Sequence, residues 1–283
     1  MPGRIDPIAR RWLLGGEIAR RREASGLSLA EVASASGLTR AKLGHWETGR
    51  HAPTREDLRK MLETCRVAES DIELLDDLAS RSQGKPWWDR WNGVVSSWLG
   101  LYLGLEGMAT TVFAYEPVLI PGLLQTTDYA NELTAKAILV RGDDIDRFVE
   151  LRMARAERLT MEPRLNYHVV IEEAAFRRRT KNARTMRDQC AHLLELTKQN
   201  NVLIQVLQSD RGLHPATSMG QYVILDFEGL GGVAYRELYD DAVFIRDRDK
   251  LKSYRLAAGH AKSEALSPKE SRAFIAKLRK ELT

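Results

Sequence analysis

Residues 37–50 read Gly-Leu-Thr-Arg-Ala-Lys-Leu-Gly-His-Trp-Glu-Thr-Gly-Arg, so Arg40, Lys42, His45, Trp46 and Arg50 share one short stretch bounded by glycines. Thr39 is a helix N-cap type and Gly49 a terminator, which sets a short helix with its basic side chains gathered toward one end. Guanidinium and ammonium donors presented this way suit base edges and phosphates, the chemistry of a helix lying in the major groove of DNA.

Such a helix works only if neighbouring elements hold it. From Ile8 to about Leu78 the pattern predicts about five short helices. The first carries Leu14 and Ile18 and ends at Gly26. Ser28 and Glu31 form a capping box for the second, which carries Leu29, Val32 and Ala33 and stops at Gly37. Thr39 caps the third through Trp46. Thr54 caps a fourth with Leu58, Met61, Leu62 and Cys65 on one face, and an acidic segment from Glu69 to Asp77 makes the fifth. Helix, four-residue turn and helix inside a small bundle is the helix-turn-helix arrangement. Charge agrees: residues 1–66 hold 13 Lys and Arg against 8 Asp and Glu, a net of +5, while residues 67–283 hold 30 against 31, a net of −1. The polyanion partner belongs with the first quarter of the chain.

The residue order from Leu27 to Pro53 resembles the XRE-type, Cro-repressor-like helix-turn-helix domain over roughly residues 9–66. Leu27, Ser28, Val32, Ala33, Gly37, Leu43, Trp46, Glu47, Gly49 and Pro53 stand at the family's spacing, whereas Leu29 replaces a glutamine that touches phosphate in many members. The resemblance implies that Arg40, Ala41, Gly44 and His45 face the bases. Arg40 would make a bidentate guanine contact and Ala41 would meet a thymine methyl. Gly44 would let the backbone approach the groove, at roughly 1 kcal/mol of helix propensity. Ser28, Lys42, Arg50 and Arg21 would meet phosphates. Arg22 and Glu47 would tie the first helix to the end of the third, with Leu43 and Trp46 in the core.

The expected organisation is an N-terminal all-α helix-turn-helix bundle over residues 1–79, a linker at 80–87 around the SRSQGKP stretch, and a larger α+β domain over 88–283. The second domain reads as a helix or two and a strand up to Tyr115, a charged amphipathic helix over 144–159, and a strand over 164–173. A helix from Asn182 to Lys198 follows, then strands over 201–207, 220–227 and 232–238, a helix from Asp241 to His260 and a final helix opened by Ser267, Pro268 and Glu270. Strands segregated among helices indicate α+β.

The stretches 115–130, 151–159, 166–178, 189–214 and 265–275 resemble the WhiJ-like, SCR-type antitoxin-like family of actinobacterial regulators, most specifically at Pro121-Gly122-Leu123-Leu124-Gln125-Thr126. This resemblance implies a regulator with a small protein partner encoded nearby. The expected partners are a double-stranded DNA operator, a second copy of the chain and that small protein, in the cytoplasm. The alternative is a regulator whose C-terminal domain senses a small molecule.

Cys65 and Cys190 are far apart and form no metal-ligand pair, and the longest apolar uncharged run, Gly93 to Leu105, is too short to span a bilayer. His168, Glu172, Glu173, Asp210 and His214 offer acid/base groups, but no nucleophile elbow, phosphate loop or paired metal ligands accompany them. The GLGG stretch at 229–232 is too weak for a dinucleotide loop. No catalytic, cofactor or metal residues are therefore expected. Trp87, Trp88, Trp91 and Trp98 are expected in the core or at a domain interface.

Overall fold

The computed structural model describes residues 4, 6–80 and 84–282. Five helices build the head: α1 (Pro7–Ala24), α2 (Leu29–Ser36), α3 (Arg40–Glu47), α4 (Arg55–Thr64) and α5 (Glu69–Ser80). Local chemistry sets their ends. The Asp6 side chain caps α1 by accepting from the amides of Ile8 and Ala9, both at 2.9 Å. Ser28 and Glu31 close a reciprocal capping box, and Gly37 ends α2 in the left-handed region at φ 70°. Leu14, Ile18, Val32, Leu43, Trp46, Leu58, Met61, Leu62, Ile72, Leu75 and Leu78 are buried as one core. The linker expected at 80–87 begins inside α5 and continues through residues 81–83, which lie outside the described residues.

The second region has α6 (Ser97–Met108), β1 (Thr111–Glu116), α7 (Thr127–Thr134), α8 (Ile145–Ala156), β2 (Asn166–Glu172), α9 (Glu173–Arg177), α10 (Ala183–Leu196) and β3 (Val202–Leu207). It continues with α11 (Pro215–Met219), β4 (Tyr222–Asp226), β5 (Val233–Glu237), β6 (Ala242–Ile245), α12 (Arg248–Glu264) and α13 (Pro268–Glu281). The six strands form one mixed sheet in the order β3-β2-β1-β4-β5-β6, with β1, β2 and β3 parallel and β1, β4, β5 and β6 antiparallel. Alternation divides the side chains between two faces. Val112, Ala114, Tyr167, Val169, Val223 and Tyr235 join the core that contains residues of α6, α10 and α13, whereas Phe113, Tyr115, Val170, Tyr222 and Ile224 join the one that contains residues of α12. The β3 edge is closed by the Leu266 amide donating to the Val206 carbonyl and the Val206 amide donating to Ser271 Oγ.

One expected element changes type. Residues 242–245, read as the start of a helix, pair with β5 as β6, and the helix begins at Arg248 with Asp247 as its cap. The short Val243-Phe244-Ile245 run fits either period, and the free edge of β5 decides in favour of a strand. The eight-residue α7 and the five-residue α9 and α11 left no readable period.

Head and sheet domain are joined by α1. The Asp6 carboxylate that caps α1 also accepts from Trp88 Nε1 at 2.9 Å, and a side chain at Gly104 of α6 would run into that carboxyl. Arg246 donates to the Trp12 carbonyl at 3.0 Å and lies 4.2 Å over the Trp12 ring, whose edge meets Phe244 of β6. Glu17 accepts from the Gly231 amide at 3.1 Å. The tryptophans thus divide: Trp88 meets the head, Trp91 packs with Leu103 and Leu151, and Trp87 and Trp98 are half-buried.

Candidate nucleic-acid interface

The third helix is held mainly by contacts on its inner side. Leu43 and Trp46 are buried at its core face. Its C-terminal end crosses α1 so closely that a side chain at Gly15 would collide with the carbonyl oxygens of Trp46 and Glu47. Gly49 has φ 73°, and a Cβ there would lie 2.9 Å from the Trp12 Cα. The abrupt stop after the helix follows from these two facts: the chain must turn in the left-handed region where α1 leaves no room for a side chain. Arg22 of α1 clamps the same end, with Nε 2.6 Å and Nη2 3.1 Å from the two Glu47 carboxylate oxygens and Nη1 3.2 Å from the Leu27 carbonyl. The hydrogen-bonded carboxylate pushes the Arg22 pKa up.

The outer side is open. Arg40, Ala41, Lys42 and His45 are exposed along α3, and Arg50 follows after the turn. Arg40 and Arg50 make no side-chain hydrogen bond or ion pair among the described residues. A Cβ at Gly44 would meet nothing within 4 Å. His45 and His51 stand edge to face, 5.5 Å between ring centres. Lys42 is not free: its ammonium lies 2.6 Å from Asp57 of α4 and holds that carboxyl below its usual range. Ser28 is exposed with its hydroxyl oxygen engaged in the capping box.

Arg21, expected at a phosphate, is placed elsewhere. It is buried and paired with Glu17 at 3.0 Å and with Asp71 of α5 at 2.9 Å. The run Arg20-Arg21-Arg22 spans three directions of a helix, so its members separate: Arg20 half-exposed beside Glu17, Arg21 toward α5 and Arg22 toward α3.

In the sheet domain Glu172 and His214 do come together, with His214 Nε2 3.1 Å from Glu172 Oε1 and the Tyr115 hydroxyl donating to the same oxygen at 2.5 Å. His168 lies apart, 2.7 Å from Gln205 Oε1. The Glu172 group pins the residues before α11 to the sheet and lines neither the cavity beside α6 and α8 nor the cleft between α1 and the start of α12. No group of three or more His, Cys, Asp or Glu able to hold a metal occurs among the described residues, and Cys65 and Cys190 are free and buried. No helix among the described residues is long and apolar enough to cross a membrane.

Sequence reasoning missed a second set of residues. A cavity of about 340 Å³ opens between the sheet, α6, α8 and the loop 117–125. Glu106 of α6 and Arg155 of α8 meet on its wall through two hydrogen bonds of 2.8 and 2.9 Å. Arg152, one turn before Arg155, lines it without an ion pair or hydrogen bond among the described residues, and burial lowers its pKa to about 10. Burial also raises the Glu116 carboxyl to about 8, against the opposing effect of a hydrogen bond from Gln221. The available signals were a lone carboxylate at Glu106 closing an apolar run and two arginines three apart on an otherwise amphipathic helix.

Residues 13–75 match a family described as a helix-turn-helix domain, and residues 99–277 match one described as a domain of unknown function, DUF5753. No curated protein and no solved structure matches the chain. With most of its length in the second match and the α3 interface inside the first, the chain belongs to the DUF5753 family and carries a helix-turn-helix domain at its N-terminal end.

Proposed function

We propose that the chain is a sequence-specific DNA-binding transcriptional regulator that reads an operator through α3. The observation that carries this reading is the outer face of α3: exposed, cationic, free of intramolecular partners at Arg40, and rigidly backed by Trp46 and the Arg22–Glu47 clamp. Arg40, Ala41, Gly44 and His45 face base edges. Arg50, Ser28 and Lys42 meet phosphates, Lys42 after exchanging its Asp57 partner for one. Arg21 has no part in it, because Glu17 and Asp71 already occupy its guanidinium.

One such helix reads few base pairs, so the regulator acts as a homodimer on a two-fold operator. The resemblance to WhiJ-like, SCR-type antitoxin-like regulators supports a small protein partner encoded nearby. A second reading, a small-molecule sensor, is favoured by the cavity in the sheet domain. We read neither region as catalytic.

The test is operator selection from random DNA by the full chain and by Arg40→Ala. The variant is expected to lose base preference at one position of each half-site, at a cost of about 1–3 kcal/mol. Affinity for the selected site is expected to fall with salt as phosphate counterions are displaced. An unchanged selected sequence from a folded Arg40→Ala protein overturns the assignment of α3.

A further inference from the structure

The Pro121-to-Thr126 stretch, distinctive in the sequence and without a place in DNA recognition, forms part of the wall of the sheet-domain cavity. It is locked from both sides. Gln189 of α10 accepts from the Thr126 amide at 2.8 Å and donates to the Leu124 carbonyl at 2.7 Å, and the Gln125 side chain donates to the Ile120 carbonyl at 2.6 Å. Within it Gly122 makes room for cations: a Cβ there would lie 3.1 Å from Arg152 Nη1 and 3.4 Å from Arg155 Nη1.

The charges around the cavity are unequal in kind. Arg155 is neutralised by Glu106, whereas Arg152 has no bonded partner, and its Nε is buried with none among the described residues. A guanidinium in that state carries a desolvation cost that an acceptor in the cavity would offset, and its planar fork matches a carboxylate. The rest of the wall is mixed: Val112, Ala114, Ile120, Leu123 and Val223 give it an apolar part, and Glu116, Gln125, Gln221 and Glu237 a polar one. Glu237, exposed on the same lining, favours the Arg152 charge from a distance without bonding it, and disfavours a ligand that brings a second negative charge.

We propose that this cavity is a binding site for a small monocarboxylate with an apolar body, its carboxylate held by Arg152 and its body on the sheet face. The volume lies at the small end of the range for ligand pockets, about 300–1,000 Å³. Glu116, kept protonated by burial, supplies a neutral donor where an ionised side chain would repel the ligand. Tyr235 of the lining stacks on Tyr102 at 4.1 Å and packs on Phe244 at 5.2 Å; Phe244 meets Trp12 of α1 at 5.7 Å. A ligand against Tyr235 therefore touches a continuous aromatic row that ends in the head, and as an effector site this rests on the sensing reading above.

The test is calorimetric titration of the full chain, without DNA, using hexanoate and phenylacetate, their primary amides and the dicarboxylate adipate. Saturable one-to-one binding of at least one monocarboxylate is expected, with its amide and adipate each weaker by about tenfold or more. Arg152→Met should abolish the preference for acid over amide, and Arg152→Lys should restore part of it. Absence of saturable carboxylate binding, or equal affinity for acid and amide in the unaltered protein, overturns the proposal whether or not the variants fold. Operator affinity is then measured with and without the bound acid. An unchanged affinity removes the sensing reading and leaves the site standing.

Discussion

Arg22 of the head and Arg152 of the sheet domain are both largely withdrawn from water, and they differ in what surrounds the guanidinium. Arg22 has two carboxylate contacts and a backbone carbonyl; Arg152 faces a cavity, with another arginine one turn away and the carboxylates of Glu237 and Glu106 near enough to favour its charge but not bonded to it. A half-buried cation whose three nitrogens each have an acceptor is a structural clamp, and Arg22 holds α1 against the end of α3. A buried cation with unoccupied donors raises the energy of the empty protein and makes an external acceptor favourable. The head therefore exposes cations on a surface backed by closed contacts, while the sheet domain encloses a guanidinium that lacks a hydrogen-bond acceptor at Nε.

The strongest way to break this contrast is to remove the support of the head. Trp46→Ala should destabilise it by about 3–5 kcal/mol, as truncation of a buried aromatic does, and denaturant unfolding measures the loss. Retention of full stability and DNA affinity would show that α3 does not need its buried face.

The next effect separates the domains by pH. Glu116 is raised from 4.5 to about 8 by burial, with Gln221, Arg152 and Arg155 opposing and Glu237 adding to the rise. An acid whose folded pKa is raised binds its proton more tightly in the native state, so its contribution to stability is full below about pH 4.5 and is lost as pH rises through 8. Between pH 6 and 8 the unaltered protein should lose roughly 2–3 kcal/mol more than Glu116→Gln. Parallel stability profiles for the two proteins would place Glu116 in a wetter site than the geometry gives it.

Glu47→Ala removes the partner of Arg22 and should cost about 1.5–3 kcal/mol, the range for hydrogen bonds to charged groups. It converts the closed clamp into an open cation like Arg152, so a negligible loss would weaken the contrast at its head end. The smallest expected change is a gain. Gly44→Ala puts a methyl into open space on the outer face of α3 and should stabilise the helix by about 1 kcal/mol. If the backbone approaches DNA there, operator affinity falls even as stability rises; an affinity that rises with stability would remove Gly44 from the interface.

The sequence by itself determined what local chemistry controls. Capping residues act over three or four positions and left-handed glycines on their own turn, so the five head helices, the stop at Gly49 and the core face of α3 were legible from the order of residues. The α+β character of the rest was legible from strand alternation. Tertiary structure decided the matters in which partners are distant along the chain. Residues 242–245 became a strand because β5 offered an edge, and Arg21 turned from solvent because Asp71 stood fifty residues away. The cavity depended on α6, α8, the 117–125 loop and the sheet converging, and the ionisation of Glu116 on burial that no periodicity reports. A side chain's type sets what it can bind, but whether its partner lies within the protein or must come from outside is settled only when the packed neighbours are in place.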